Sequence, residues 1–406
     1  MYIEFMEEYI QLGHMFKVDD SQQSFSYYLP HHGVLKDDSV TTKLPVVFDG
    51  SFPFSSGLSI NDIQISGPTI QDDLFLIVLR FRQHAFLVSA DITKMYRQVL
   101  VDPEQRALQQ IFWRSSPSDT LSTYQLNTVT YGTALDSFQV IRCLFQLASE
   151  NKDLHPTASK IIKRDFYVDE LLTGGDCAES LSNVCKDINN ILNSGCFELR
   201  KLVSNDPVVL NKIQSSKCLS NLKSFGGEEK RLHNYGQDYN ANSFKQEKQG
   251  WDASVPQIIF PQWQHFNEEL LRLNNIEISR YVKLKDSISC ELHEFSDANN
   301  KAYGVAIYVN SVDSDGHVLV RLLCPKSKVA PLKVISIPRL ELCDALLLAR
   351  LSERVIKSSD INFDKVFHWF DSTITLAWIR TQSKLLKTLV PNYSCLLNYG
   401  DMDLPG

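Results

Sequence analysis

Two sets of acidic residues, each embedded in apolar runs, occur in a fixed order along this chain and most constrain its fold. The first set is Asp91 in the run FLVSADITKMY and Asp169 in the run DFYVDELLTGG. The second set is Asp297, Glu341 and Asp371, in the runs ELHEFSDANNKAYG, IPRLELCDALLLARL and VFHWFDSTITLAWI. Clustered acids repel, so a fold that gathers either set needs divalent cations beside it. We therefore expect two halves, each built around its own acidic site.

Length and composition allow this organisation without pointing to a function. A chain of 406 residues is long enough for two or three domains with cores of their own. Its hydrophobic fraction of 43% and charged fraction of 22% are ordinary for a globular protein. The net charge is −7, whereas a nucleic-acid-binding protein is expected to show a basic surface. Charge therefore gives no support to nucleic-acid binding, and the functional argument rests on the acidic sites.

The chain is expected to be cytoplasmic or nuclear and not secreted. No apolar run is long enough to cross a bilayer, so no membrane association is expected. The first residues, MYIEFMEEYIQLGH, carry acids where a signal peptide needs bases. The nine cysteines are scattered without a CxxC pair, which favours reduced, mostly buried thiols over zinc ligands or disulfides.

Hydrophobic spacing predicts a mixed first half. The predicted elements are a strand at 42–49, a helix from Thr69, a strand at 85–91, a helix at 132–149, a hairpin at 161–172 and a helix at 177–196. Thr69 and Asp72 have the spacing of a capping box, with Asp in the usual Glu or Gln position. Asp91 then stands at a strand end, where its carboxylate can reach solvent, and Asp169 lies near the tip of the hairpin.

The second half alternates strands and helices. The predicted elements are a helix at 261–273, strands at 292–297, 304–310 and 317–323, a helix at 337–356, a strand at 365–371 and a helix at 372–380. If the first and fourth strands are neighbours in the sheet, Asp297 and Asp371 stand side by side, and the helix brings Glu341 over them. Taken alone, Asp371 also fits a helix cap and Asp297 a plain strand end.

The second half resembles the ribonuclease H domain of BEL/Pao-type retrotransposon Pol proteins. The runs that carry the resemblance are FSDANNKAYGVAIYV, KSKVAPLKVISIPRLELCDALLLARL and FHWFDSTITLAWI. The resemblance implies that Asp297, Glu341 and Asp371 are catalytic metal ligands that hold two Mg²⁺ ions and hydrolyse the RNA strand of an RNA/DNA hybrid. In the family a further acid follows, in a motif like NPAD, past the end of this chain. We therefore expect a shortened domain with impaired hydrolysis.

The first half resembles the reverse transcriptase domain of the same family. The matching runs are YYLPHHGV, TTKLPVVFDGS, GPTIQDDLFLIVLRFR, ADITKMYRQVLVDPEQR and FYVDELLTGG. The resemblance implies a palm made of a small antiparallel sheet backed by helices. It also implies that Asp91 and Asp169 bind two Mg²⁺ ions, or Mn²⁺ in their place, with Glu170 in the same catalytic box. The implied partners are an RNA template and a DNA primer.

Three further residues are carried over from the resemblance as contacts to the substrate. Tyr96 falls where the family has an aromatic steric gate against the ribose 2′-hydroxyl, and Gly132 in the turn that lies against the incoming nucleotide. Lys43 is a candidate phosphate contact. Without the motifs, Tyr96 would be interpreted as a half-buried core tyrosine and Lys43 as a solvated lysine.

Departures from the family pattern predict weakened polymerase chemistry. Glu170 stands where the family has a second aspartate, and Mg²⁺ geometry tolerates the extra methylene poorly. Pro45 replaces an arginine that grips the triphosphate, and a proline offers no donor. After Gly132, Asp136 and Ser137 replace the usual small residue and proline, and Leu202 replaces a tryptophan.

The expected fold class is α+β and α/β, a truncated palm and fingers followed by a ribonuclease-H-like mixed sheet with helices. The expected domains are an entry segment with partial fingers at 1–40, a reverse-transcriptase-like domain at 41–218, a polar linker at 219–256 and a ribonuclease-H-like domain at 257–406. Two alternatives stay open: a non-catalytic module that binds nucleic acid or protein, and a free-standing ribonuclease H with a vestigial first domain.

Overall fold

The computed structural model describes residues 1–19, 26–35, 44–214, 223–224, 260–270, 272 and 278–381. The chain divides into two compact units. The first comprises Met1–Ile77 and Phe86–Ser224, and the second comprises Val78–Ala85 and Phe225–Gly406. Among the residues that the structure describes, no helix is long and apolar enough to span a membrane.

The first unit contains ten short strands and six helices within its described residues. Its strands are β1 (Met15–Lys17), β2 (His31–Gly33), β3 (Val46–Phe48), β4 (Phe86–Ile92), β5 (Gln110–Trp113), β6 (Ser122–Leu126), β7 (Phe166–Tyr167), β8 (Glu170–Gly175), β9 (Leu199–Ser204) and β10 (Lys223–Ser224). Its helices are α1 (Tyr2–Gln11), α2 (Ile60–Ile63), α4 (Asp136–Glu150), α5 (Pro156–Arg164), α6 (Ala178–Ser194) and α7 (Pro207–Gln214). Helix α3 (Leu74–Phe81) begins in the first unit and ends in the segment assigned to the second.

Strand β4 is the centre of the main sheet of this unit. The strand order is β10-β9-β4-β8-β7, and β4 is antiparallel to both of its neighbours. Along β4, Val88, Ala90 and Ile92 are buried in the core, because alternate residues of a strand share a face. Helices α4, α5 and α6 cover that face with buried residues such as Leu144 and Ile188. The other sheets are β1-β6-β5 and the pair β2-β3.

Several predicted boundaries in the first unit are wrong. The helix predicted at 132–149 begins at Asp136, and the strand predicted at 42–49 is confined to Val46–Phe48 within the described residues. Helix α3 begins at Leu74 and not at Thr69, and the Asp73 side chain accepts the N–H of Leu76 at 3.1 Å, so Asp73 caps this helix. The hairpin predicted at 161–172 is shorter, because its first residues belong to α5, which buries Ala158, Ile161 and Ile162 at helical spacing.

The second unit is built on one four-stranded sheet. Its elements are α8 (Phe260–Leu270), β11 (Ser289–Ala298), β12 (Ala302–Val312), β13 (Val318–Val329), α9 (Ile337–Ser358), β14 (Lys365–Trp369) and α10 (Thr373–Arg380). The strand order is β13-β12-β11-β14, with β11 antiparallel to β12 and parallel to β14. The first and fourth strands are therefore neighbours, which is the arrangement that would bring their terminal acids together.

The side chains of β11 alternate between the two faces of this sheet. Leu292 and Glu294 are fully buried, and the Ser296 hydroxyl reaches a side chain of α9, so these residues face the helix. Phe295 lies on the other face and is 43% exposed. The alternation continues to the strand end and sets the direction of each side chain near Asp297.

Arg82 ties the segment 78–85 into the second unit. Its guanidinium is 6% exposed and donates to the backbone carbonyls of Ser279 and Leu322, each at 2.8 Å. Arg280 in turn donates to the carbonyl of His84 at 2.8 Å. These charge-assisted bonds satisfy a backbone carbonyl of β13 and two carbonyls outside the strands.

The turn at Gly132 lies close to the backbone of Phe48. Gly132 has φ +97°, and a Cβ atom there would collide with the carbonyl oxygen of Phe48. We expect Gly132→Ala to lower the free energy of unfolding by roughly 1–3 kcal/mol, through both the left-handed backbone and the collision. Urea unfolding measures the change. Gly57→Ala is the matched control, because Gly57 has φ +80° with open space around it, and an equal loss in both variants would contradict the collision.

Candidate active sites

The first acidic site lies where β4 meets the β7–β8 hairpin. Asp91 of β4 is directly opposite Glu170 of β8, and Asp169 lies in the two-residue turn just before Glu170. The N–H of Ile92 donates to the carbonyl oxygen of Asp169 at 2.8 Å, which fixes this turn against the end of β4. Burial raises the pKa of the Asp169 carboxyl, and the negative charge of Asp91 raises it further.

The turn that carries Asp169 is held in a costly backbone conformation. Val168 has φ +54°, which is rare for a β-branched residue. Its N–H donates to the side-chain oxygen of Gln71 at 3.1 Å. Such backbone strain collects at functional sites, where surrounding contacts hold it.

A lysine that the sequence interpretation did not single out occupies one side of this site. Lys201 and Leu202 of β9 lie opposite Ala90 alone, so β9 bulges there, and Lys201 adopts φ +51°. The bulge directs the Lys201 ammonium to the Asp91 carboxylate, at 2.7 Å. The position of Lys201 beside Asp91 depends on the bulge, and the periodicity of a strand sequence does not reveal bulges.

The structure describes two of the three predicted substrate contacts of the first unit. Tyr96 is half-buried, and its hydroxyl lies 3.2 Å from that of Ser137. Burial raises the Tyr96 pKa, and the charges of Asp136 and Asp169 raise it further, so its ring lies near the acidic site. Gly132 donates its N–H to the Asp136 carboxylate at 2.9 Å. Lys43 lies outside the described residues.

The altered residue Pro45 has a structural contact of its own. Its carbonyl oxygen accepts the N–H of Val34 at 2.9 Å, just before β3. The contact continues the pairing of β2 with β3 and uses only the backbone. Pro45 therefore supports the local pairing and supplies no donor for a phosphate.

The second acidic site lies at the ends of β11 and β14. Their parallel register pairs Phe295 with Trp369. Asp297 follows two residues later within β11, whereas Asp371 lies two residues beyond β14, which ends at Trp369 and not at residue 371 as predicted. Both line an open groove of about 830 Å³. The two acids lie in one wall of this groove, and its other walls come from β12 and β13.

Glu341 joins this edge from α9 through a serine. Ser372 donates its hydroxyl to Glu341 at 2.6 Å and accepts the N–H of Thr375 at 3.2 Å, so one serine caps α10 and holds the glutamate beside Asp371. The capping role that was the alternative for Asp371 therefore belongs to Ser372. The serine comes next to Asp371 in the sequence, so α10 is anchored at the acidic site.

Asp344 is a fourth carboxylate at this site that the sequence interpretation missed. It lies one helical turn after Glu341, is 2% exposed, and accepts the Ser296 hydroxyl at 3.0 Å. Burial raises its pKa to about 7, and the charges of Glu341 and Asp297 contribute to the rise. The (i, i+3) spacing from Glu341 placed it on the same helix face. Its alignment with an apolar helix stripe concealed it.

A mixed group of possible metal ligands lies elsewhere in this unit. Asp313, Asp315 and His317 bring one ligand atom each within 4.8 Å of one another in the turn between β12 and β13. Asp313 already accepts the N–H groups of Asp315 and His317, each at 2.9 Å. These bonds account for the cluster as turn chemistry.

Asp344 makes the stability of the second unit depend on pH. Its folded pKa of about 7 lies above the ordinary value of 3.8, so the native state holds an extra proton between those values. The free energy of unfolding therefore falls as pH rises from about 4 to 7, by roughly 1–4 kcal/mol. We expect Asp344→Asn to remove this fall in divalent-free buffer, as urea unfolding at pH 5 and pH 8 would show. The exposed Asp315→Asn is the control, and an unchanged pH slope in Asp344→Asn would contradict the assignment.

Comparison with known proteins identifies part of the chain and the fold of the whole. Residues 241–372 match the family model described as Pao retrotransposon-like RNaseH-like domain. No curated protein matches the chain.

Three similar solved structures are foamy viral protease-reverse transcriptases. The complex with RNA/DNA hybrid has TM-score 0.58 at 11% identity, and the match covers 98% of this chain and 52% of that chain. The dRH form with ds DNA has TM-score 0.54 at 12% identity, covering 98% and 67%. A further complex with dsDNA has TM-score 0.56 at 12% identity, covering 99% and 80%.

This chain spans about half the length of the first of these structures. At such identities the likeness shows the fold alone, and it confirms the predicted mixed α and β class. The family match confirms the resemblance to a Pao-type retrotransposon over residues 241–372. That part of the chain is thus similar to the Pao retrotransposon-like RNaseH-like domain, and the chain has a fold similar to that of the foamy viral protease-reverse transcriptase structures.

Proposed function

We propose that the chain is a fragment of a BEL/Pao-type Pol polyprotein whose two acidic sites perform nucleotidyl transfer and RNA-strand hydrolysis. The observation that supports the proposal is the parallel pairing of β11 with β14, because Asp297 and Asp371 follow the paired residues Phe295 and Trp369 by two residues each. Acids that lay apart on the surface would not require these two strands to pair in this register. The proposed partners are an RNA template, a DNA primer and an RNA/DNA hybrid, in keeping with the hybrid and dsDNA in the similar structures.

The donor chemistry of both sites fits Mg²⁺. Each set offers carboxylate oxygens, which Mg²⁺ prefers. The raised pKa values of Asp169 and Asp344 reflect burial and negative charge that a cation would neutralise. When bound, a pair of Mg²⁺ or Mn²⁺ ions would activate the attacking oxygen and stabilise the leaving oxygen.

In the second unit, Asp297, Glu341 and Asp371 would hold the ions and orient the scissile phosphate. Ser372 fixes the Glu341 carboxylate by its hydrogen bond and so reduces the reorganisation needed at the site. Asp344, neutral below its pKa of about 7, would limit the repulsion among the three ligands.

In the first unit, Asp91 and Asp169 would be the metal ligands, with Glu170 beside them. Tyr96, whose hydroxyl lies 3.2 Å from that of Ser137, would crowd a ribose 2′-hydroxyl. Gly132 stays a proposed contact of the incoming nucleotide, in a turn whose backbone lies close to the Phe48 carbonyl oxygen. Lys43 stays a proposed phosphate contact.

A non-catalytic first unit is the second candidate, and a specific observation favours it. Lys201 already neutralises Asp91 at 2.7 Å, so a metal ion must compete with an ammonium for the same carboxylate. Glu170 and Pro45 differ from the family residues at the same site. On this reading the first unit would bind nucleic acid or protein without polymerase chemistry.

For the second unit, we expect Asp297→Asn to lower Mg²⁺-dependent cleavage of the RNA strand in a hybrid by about two orders of magnitude or more, because an amide is a poor ligand for Mg²⁺. A labelled-hybrid cleavage assay measures the loss. Asp315→Asn is the control, because it removes an exposed acid on the same unit. Cleavage that persists in Asp297→Asn would contradict the assignment.

For the first unit, we expect Asp91→Ala to abolish primer extension on an RNA template with dNTPs and Mg²⁺ or Mn²⁺. The exposed Asp153→Ala should leave extension unchanged. Extension retained by Asp91→Ala would rule out this site. A folded wild-type protein without extension would select the non-catalytic candidate for this unit.

A further inference from the structure

The turn that carries Asp169 contains a residue type that its backbone conformation disfavours. Val168 and Asp169 are the two residues between the paired positions Tyr167 and Glu170 of the β7–β8 hairpin. Of these two, only Val168 has a positive φ, of +54°. A two-residue hairpin turn of this kind favours glycine at its first position, because a β-branched side chain crowds the backbone there. Contacts outside the hairpin must therefore hold the turn.

The Val168 side chain makes one of these contacts. It is partly buried and packs against the core of the first unit. The packing gives a physical reason for a valine here, since a glycine would leave that space in the core unfilled. Apolar packing is not directional, however, so it does not by itself fix the peptide planes of the turn.

Two hydrogen bonds from outside the hairpin fix the two ends of the turn. The N–H of Val168 donates to the side-chain oxygen of Gln71 at 3.1 Å. The carbonyl oxygen of Asp169 accepts the N–H of Ile92 at 2.8 Å. The first bond holds the start of the Val168–Asp169 pair and the second holds its end. Together they restrict the direction in which the Asp169 side chain leaves the backbone.

Gln71 reaches the turn from a distant part of the sequence. It lies 97 residues before Val168, just before helix α3, and its side chain is half-buried. A backbone N–H can only donate, so the amide oxygen of Gln71 faces Val168. This acceptor is uncharged, whereas a carboxylate in its place would add a negative charge near Asp169. Burial and the charge of Asp91 already raise the pKa of Asp169.

We propose that Gln71 is a positioning residue of the first acidic site, which holds the Val168–Asp169 turn so that the carboxylates of Asp169 and Asp91 bind divalent cations together. The inference rests on the proposed function, because it requires the first site to bind metal ions. Gln71 acts through the backbone next to a metal ligand, and groups that orient ligands in this way affect the metal affinity of a site.

The test measures Mn²⁺ affinity by electron paramagnetic resonance at pH 8. The parent protein is the full chain with Asp297→Asn, so that the first site is observed by itself. Gln71→Met removes the amide oxygen and keeps a side chain of similar length, and Gln71→Asn keeps the amide but shortens its reach by one methylene. Gln146→Met is the matched control, because Gln146 is exposed on α4 of the same unit.

Gln71→Met and Gln71→Asn should each weaken Mn²⁺ binding about tenfold, and Gln146→Met by less than about twofold. Val168→Gly supplies a second test, because glycine adopts a positive φ without a steric cost. In the Val168→Gly background, Gln71→Met should weaken binding by about threefold or less, since the two changes act on the same turn. Urea unfolding of the same proteins shows that affinity is compared among folded proteins.

The outcomes separate this inference from the proposed function. Equal Mn²⁺ affinity in the parent, Gln71→Met and Gln71→Asn would overturn the inference alone, even if both variants were less stable. A loss from Gln71→Met that is the same with Val168 and with Val168→Gly would also overturn it. A folded parent protein that binds no Mn²⁺ would contradict the proposed metal site of the first unit, and the inference with it.

Discussion

Repulsion between carboxylates at the ends of adjacent strands is the constraint on which both sites depend. The hydrogen-bond register fixes where these acids lie. The pairing of β4 with β8 and of β11 with β14 brings acids of neighbouring strands close together. Burial raises the pKa of Asp169 and of Asp344, and the negative charges nearby raise it further. A structure that keeps such a register must offset the charge locally or bind cations.

The two units offset the charge in different ways. The first uses an ammonium, because the β9 bulge directs Lys201 to Asp91. The second uses hydroxyl donors, with Ser372 on Glu341 and Ser296 on Asp344. A hydroxyl donor leaves the other lone pairs of a carboxylate for a metal ion, whereas an ammonium competes for them. The second unit is thus better prepared for metal chemistry.

The sequence predicted the second unit well because its strands are long and its acids end them. The β11 and β14 strands and the helix with Glu341 were deducible from alternation and order, whereas the adjacency of β11 and β14 was only a condition that their parallel pairing now meets. The hairpin at 161–172 was misassigned, because its apolar run fits a strand and a short helix equally. Lys201 and Asp344 were missed for another reason. The first depends on a bulge with a left-handed residue, and the second on burial of a polar residue within an apolar helix stripe.

Direct measurement of divalent cation binding tests the central claim, that each strand-end set of acids holds metal ions. Mn²⁺ binding to the full chain, followed by electron paramagnetic resonance at pH 8, would count the sites in wild type and in an Asp91→Ala/Asp297→Asn double variant. We expect saturable binding in wild type that the double variant loses. Absence of binding in a folded wild-type protein, or equal stoichiometry in both proteins, would contradict it.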